Sequence, residues 1–199
     1  MILGFDNDDE TCFDAQREFL RAARITHAMI GMLTAIPKTP LHARLAAEGR
    51  LDLEDVSEFG TNVIPLRMSR ESLRNGYVEV LKDLYEPEAF FDRVDDLYLA
   101  QRAPFFAAMQ SYFRDHRWRH GCETAKNLGQ ALGLFFRLMR RVPEAALRRA
   151  YRRRLGGLLQ RRPEPRLIFL YCVKCAMHFH HCTMARQMAV GRATLVNSF

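Results

Sequence analysis

The sequence predicts a short α/β portion of two or three parallel strands followed by an all-helical domain, with helix dominating the chain. Three observations carry this. The apolar run Met1-Ile2-Leu3-Gly4-Phe5 breaks at once into Asp6-Asn7-Asp8-Asp9-Glu10, the pattern of a buried strand ending in a polar loop that leads into a helix. Ile25 to Ala35 is apolar with little alternation, as a strand covered on both faces would be. From Ser69 onward, apolar residues recur at spacings of three and four, the period of an amphipathic helix.

Taken in order, Thr11 to Arg24 reads as the first helix, with Phe13, Phe19 and Leu20 on one side and Asp14, Arg17, Glu18 and Arg21 on the other. Asp8 or Asp9 is its candidate N-cap. After the second strand, Ile36-Pro37-Lys38-Thr39-Pro40 is a loop, because each proline pushes its predecessor out of helix. Thr39 caps the next helix with Pro40 at its first position, Leu41 and Leu45 face inward, and Gly49 ends it. Asp52 to Gly60 is an acidic loop, and Thr61 to Leu66 a third extended segment. Ser69 then opens a helix carrying Leu73, Tyr77, Val80, Leu81 and Leu84. Further helices are expected from Pro87 (Phe90, Phe91, Val94, Leu97), from Pro104, from Cys122 to Arg141, from Pro143 to Gln160 and from Leu167 to about Val190. His116 and His120 flank Trp118, and a surface turn accounts for them as well as a functional role does.

Composition narrows the class. With 199 residues, 48% of them hydrophobic, the chain is long and apolar enough for a sizeable core. No apolar run reaches the length of a membrane span, and no positive n-region precedes the opening apolar residues. Five cysteines, an odd number, fit a reduced, cytoplasmic setting better than a disulfide framework. The net charge of +7 conceals a split: residues 1–99 carry 11 Lys and Arg against 19 Asp and Glu (net −8), and residues 100–199 carry 19 against 4 (net +15). Such asymmetry means either a basic face for an anionic partner, or halves that attract each other and arginines that keep helices solvated. The second account is the simpler.

The segments Met1 to Asp8, Gly31-Met32-Leu33-Thr34-Ala35-Ile36-Pro37-Lys38-Thr39-Pro40-Leu41 and Gly60-Thr61-Asn62-Val63-Ile64-Pro65 look like the last barrel units of cobalamin-binding-type radical S-adenosylmethionine (SAM) proteins. The helices after Ser69 resemble the DUF4070 domain of one subgroup, which includes hopanoid 2-methyltransferases. Lys174-Cys175-Ala176-Met177-His178-Phe179-His180, with Thr183-Met184-Ala185, matches that domain's terminal signature. The resemblance implies a radical SAM partial TIM-barrel fragment over residues 1–66 and a DUF4070-like helical domain over 67–199. It also implies a parent chemistry using SAM, a 4Fe–4S cluster and cobalamin, with methyl transfer to unactivated carbon such as that of a lipid. The cluster loop of that family is Cys-x3-Cys-x2-Cys, whereas the cysteines here stand at 12, 122, 172, 175 and 182, so a cluster has no seat. The expectation is therefore a C-terminal part of a larger catalyst, binding none of these cofactors firmly and inactive alone. Its partner would be the missing N-terminal half of the enzyme. Unpaired strand edges in such a fragment would promote aggregation.

Several residues remain as candidates. Gly4 matches the glycine that supports the SAM adenine in that family, since glycine admits a flat ligand close to the backbone; a turn glycine is the other reading. Phe5, Asp6 and Asn7 follow at the strand's carboxyl end, where α/β barrels build their sites, and Thr34 and Pro37 take the equivalent place after the next strand. For Asp6 and Asp8, helix capping takes precedence over catalysis. His178 and His180 are candidate substrate-lining residues on the family signature alone. Cys172, Cys175, His178 and Cys182 fall near one face of a helix and raise a zinc reading. One straight helix cannot wrap an ion with residues ten apart, about 15 Å along the axis, so a packed helix with inward cysteines is preferred and no metal site is assigned. The helix from Pro143 to Gln160 sets Leu147, Tyr151, Leu155 and Leu158 beside Arg148, Arg149, Arg152 and Arg153. Core packing with a solvated basic rim comes first for it, and peripheral contact with an anionic membrane surface second. No nucleic-acid module frames it, and no nucleic-acid partner is expected. The alternative to the enzyme-fragment reading is a stand-alone helical interaction or membrane-surface module.

Overall fold

The computed structural model describes residues 1–52, 60–100 and 111–190. The chain divides into two compact units: one built on Met1–Glu86 and joined by the chain from Cys182 onward, the other Pro87–His181. Among the described residues the fold is predominantly helical.

In the first unit, β1 (Ile2–Leu3) leads through α1 (Thr11–Ala22) to β2 (Gly31–Met32). The strands pair in parallel, Ile2 opposite Gly31 and Leu3 opposite Met32. The strand expected over Ile25 to Ala35 thus shrinks to two residues, because β1 offers only two residues for it to pair with. The third extended segment is not a parallel strand either. Val63 forms an isolated antiparallel bridge with Leu51, flanked by hydrogen bonds from Asp52 N–H to Asn62 and from Ile64 N–H to Arg50. The expected acidic loop lies, from residue 53 to 59, outside the described residues.

Helix α2 (Pro40–Ala47) starts as the sequence predicts, with the Thr39 hydroxyl accepting from His42 N–H and a proline in the first turn. Gly49 follows with φ +66°, a left-handed conformation that suits glycine. Leu45 is buried with Leu33, Ala35 and Val63, and Leu41 and Leu51 pack against this cluster. Helix α3 (Arg70–Leu84) is capped by Ser69, whose hydroxyl accepts from Ser72 N–H. It buries Leu73, Tyr77, Val78, Val80, Leu81 and Leu84. Two glycines set its closeness to its neighbours. A Cβ on Gly4 would stand 2.8 Å from Leu73, and one on Gly76 would stand 2.3 Å from the Phe13 ring of α1.

In the second unit, α4 (Pro87–Asp95) passes into one turn of π-helix, Asp96–Ala100. The helix expected at Pro104 begins outside the described residues. α5 (Arg117–Arg141) starts five residues before the expected Cys122, so Trp118 and His120 lie in a first helical turn, not in a surface turn. α6 (Ala145–Arg161) and α7 (Pro165–Ala189) follow, α7 belonging to this unit as far as His181. The core gathers Phe90 and Phe91 of α4, Tyr151 and Leu158 of α6, and Leu167, Tyr171 and His178 of α7, all essentially inaccessible. Phe90 and Phe91 meet edge to face at 5.1 Å, a favourable aromatic geometry. Among the described residues no helix is long and apolar enough to cross a membrane.

Gly76→Ala is expected to destabilise the chain by about 1–3 kcal/mol, because the new methyl must displace a buried ring. Gly133→Ala in α5, where an added Cβ meets nothing within 4 Å, is expected to stabilise it by about 1 kcal/mol through helix propensity. Urea unfolding followed by circular dichroism separates the two signs.

Candidate functional site

The carboxyl ends of β1 and β2 lie side by side, since Leu33 N–H donates to Leu3 C=O at 2.8 Å. The parallel register therefore brings the loop Gly4 to Asn7 to the same end of the sheet as Thr34. Gly4 has φ +98° and packs against Leu73, so turn geometry and close packing each already call for glycine there. Phe5 is 47% exposed and Ile36 65% exposed, giving this end an apolar rim. Asn7, Thr34 and Pro37 are exposed.

The acidic residues of this loop do other work than the capping expected of Asp6 and Asp8. Asp8 turns back, its carboxylate accepting from the N–H groups of Gly4 (2.9 Å) and Phe5 (3.0 Å). Asp6 pairs with Arg50 at 2.8 Å and Arg44 at 2.7 Å. The Arg50 hydrogen bond, supported by Arg44, holds its carboxyl below the usual carboxylate range. Asp9 alone serves the helix start, accepting from Thr11 N–H at 3.0 Å. Glu10 occupies the N-cap position without a side-chain bond.

The loop after β2 is fixed by residues that periodicity does not single out. The Asn62 side chain accepts from Ala35 N–H at 2.8 Å and donates to Ala35 C=O at 2.9 Å. Thr61 donates its hydroxyl to Leu33 C=O and accepts from Val63 N–H. An asparagine amide that presents both a donor and an acceptor can satisfy a backbone as a neighbouring strand would. Its signal in the sequence is the polar pair Thr61-Asn62 inside an otherwise extended apolar stretch.

A cleft of about 670 Å³ opens elsewhere in the same unit, bordered by Met32, Gly60, Thr61, Arg74, Asn75 and Met188 among others. None of the sequence-predicted site residues borders it. Its charged margin is mixed: Arg70 is engaged by Asp52 and by the Thr61 carbonyl, and Lys82 pairs with Glu79 at 2.6 Å.

In the second unit His178 is fully buried, with its Nδ1 2.6 Å from the Tyr151 hydroxyl. The rings of Phe90 and Phe91 stand 4.9 and 5.4 Å away. That is the setting of a core hydrogen-bonding group, with no surface for a ligand to reach. His180 is half-buried against the His181 ring at 5.2 Å. None of the five cysteines forms a disulfide. Burial pushes the Cys172 thiol up to about 11 and Cys175 well above its ordinary value, as expected of thiols packed in a core. Among the described residues no three His, Cys, Asp or Glu side chains converge as a metal set would.

The apolar stripe of α6 turns mostly inward: Leu147, Tyr151 and Leu158 are buried. Arg154 on the same helix contacts Glu88, Asp92 (2.9 Å) and Asp95 (2.9 Å). Burial opposes its charge, but the bonds to Glu88, Asp92 and Asp95 outweigh burial and hold it more firmly protonated than usual. Arg153 pairs with Glu88 at 2.6 Å. Tyr171 donates its hydroxyl to Asp95 at 2.8 Å. Leu155 is half-buried and Leu159 is 43% exposed on the same helix.

Comparison with known proteins identifies the family. The model of the Domain of unknown function (DUF4070) matches residues 39–194, and the chain belongs to that family. Similar curated proteins are methyltransferases. An uncharacterized methyltransferase of Synechocystis sp. is 34% identical over 107 residues, 52% of this chain and 20% of that protein. The hopanoid C-2 methylase of Rhodopseudomonas palustris is 30% identical over 95 residues, 48% and 18% respectively. The bacteriochlorophyllide d C-12(1)-methyltransferase of Chlorobaculum tepidum is 26% identical over 94 residues, 47% and 21%. The chain spans about a fifth of the length of the curated relatives it matches. No solved structure gives a significant match.

Tyr151→Phe removes a buried hydroxyl from His178 and is expected to cost about 1–3 kcal/mol. In a double-mutant cycle with His178→Leu the pair is expected to be less destabilised than the sum of the singles. Acid sensitivity has a defined sign. The Arg154 hydrogen bond depresses the Glu88 carboxyl, so its contribution is present above the unfolded carboxylate range and disappears as pH falls through the lower folded value. Glu88→Gln is expected to flatten the acid limb of a stability–pH curve modestly, given the exposure of the pair.

Proposed function

We propose that this chain acts as the DUF4070-containing portion of a radical SAM methyltransferase of the cobalamin-binding type. In this reading β1 and β2 are the last strands of the partial barrel, and the loops Gly4–Asn7 and Thr34–Pro37 line part of the SAM cavity. The observation that carries it is the family match over residues 39–194 together with three methyltransferase relatives. The side-by-side carboxyl ends of the parallel pair support the placement, since α/β barrels build their sites there. Gly4 turns the chain into the loop, the exposed Phe5 ring offers an adenine a stacking face, and Asn7 and Thr34 supply neutral polar groups. Asp6, neutralised by Arg50 and Arg44, holds the loop and leaves proton chemistry to other groups. His180, with some accessible surface, is the substrate-side candidate, while the buried His178 fixes the helix that carries it.

In this reading radical generation belongs to a cluster-bearing portion outside these residues, because the five cysteines lack the Cys-x3-Cys-x2-Cys spacing. Residues 39–194 grafted in place of the matching domain of the Rhodopseudomonas palustris hopanoid C-2 methylase are expected to retain methylation at reduced rate. A soluble, folded graft with no product would overturn the reading. Anaerobic reconstitution of the chain alone with iron, sulfide, SAM and reductant is expected to yield no 5′-deoxyadenosine; its formation would refute the division of labour.

A further inference from the structure

α5 exposes an apolar face along its length. Trp118 is 85% exposed, Leu132 72%, Phe136 65% and Leu128 38%, while only Ala131 and Leu138 are buried. At 3.6 residues per turn Trp118 and Phe136 fall on one line, with Leu132 and Leu128 on one side of it. Gly129 lies between them, and a Cβ on it would meet nothing within 4 Å, so the sector is open between its large side chains. On the other side run Arg119, Lys126 and Arg137, seven and then eleven residues apart, which places them on one flank of the same helix. Arg140 sits at the margin with its guanidinium 5.6 Å from the centre of the Phe136 ring. Glu123 is the helix's sole acidic residue.

A line of cations parallel to a line of exposed large apolar side chains matches a plane of anionic headgroups over a hydrocarbon layer. Tryptophan favours that boundary, where its ring is apolar and its N–H remains wet, and long basic side chains reach the phosphates while their stems cover apolar surface. A second copy of the chain is a poor occupant of the same face. Antiparallel pairing would set Arg117 and Arg119 against Arg137, Arg140 and Arg141, and parallel pairing would set each cation beside its twin.

We propose that α5 is a membrane-surface helix that docks the chain on anionic bilayers, seating Trp118, Leu132 and Phe136 at the headgroup boundary and Arg119, Lys126, Arg137 and Arg140 against lipid phosphates. The inference is independent of the methyltransferase reading, since it rests on exposure and charge within one helix.

Trp118 is the single tryptophan of the chain, so intrinsic fluorescence reports on this helix alone. With the full chain at low salt, phosphatidylglycerol vesicles are expected to shift its emission to the blue and to carry the protein upward in flotation. Phosphatidylcholine vesicles are expected to do neither. Arg137→Gln and Arg140→Gln are each expected to lower partitioning about fivefold. Leu132→Asp with Phe136→Asp is expected to abolish it, with an unchanged far-ultraviolet circular dichroism spectrum showing that the exposed substitutions leave the fold intact. An unshifted emission with no flotation on phosphatidylglycerol would overturn the proposal, as would equal binding to phosphatidylcholine. Concentration-dependent self-association that protects Trp118 would assign the face to a second copy instead. Poly-glutamate shifting the emission as strongly as vesicles would assign it to an acidic protein.

Discussion

Close approach of α3 to its neighbours is the constraint on which the first unit depends. Two strands of two residues each cannot organise a layer by hydrogen bonding alone. The layer is instead assembled by contact: Gly76 admits the Phe13 ring of α1, and Gly4 admits Leu73. Both glycines stand where any Cβ would push a buried side chain out of place. The helix that results carries six buried side chains. Asp8 closes the first loop on itself and Asn62 closes the second by imitating a strand edge.

The second unit solves a different problem, that of polar groups placed among aromatic rings. A buried hydroxyl or imidazole is costly without a partner, and Tyr151 and His178 are partners across 2.6 Å. Arg154 meets three carboxylates, one of which also accepts from Tyr171. This arrangement explains part of the charge split. Glu88, Asp92 and Asp95 come from the acidic stretch of the sequence and Arg153 and Arg154 from the basic one, so the simpler account, mutual attraction, applies at this point.

Local chemistry was legible in the sequence and pairing was not. Thr39 before Pro40, and Ser69 ahead of its apolar repeat, fix helix starts through bonds that span three residues, and the structure shows both. Gly49 and Gly4 both carry positive φ. The length of a strand, by contrast, depends on what lies beside it. The apolar stretch from Ile25 to Ala35 announces burial, but β1 gives it only two residues of partner. Apolar periodicity also missed the start of α5, because Arg117 to His120 are polar on most sides and still helical. At the candidate site, a parallel strand pair and a turn glycine after the first strand were legible, whereas the engagement of Asp6 by Arg44 and Arg50 required three separate segments to meet. The clamp by Asn62 bridges 27 residues, beyond any local pattern.

The two basic amphipathic helices show why sequence could not decide which face meets a partner. α6 and α5 both set leucines and aromatics beside arginines. In α6 the stripe ends in the core, because Tyr151 finds His178 and Arg154 finds the carboxylates of α4. The half-buried Arg154 beside that stripe meets Glu88, Asp92 and Asp95: desolvation draws a cation inward, and it is tolerated only against acids. α5 has one acid of its own, and its Trp118, Leu132 and Phe136 remain largely exposed. An apolar sector flanked by cations cannot close onto a protein core without acids to receive those cations. A surface that combines hydrocarbon with negative charge meets both demands at once.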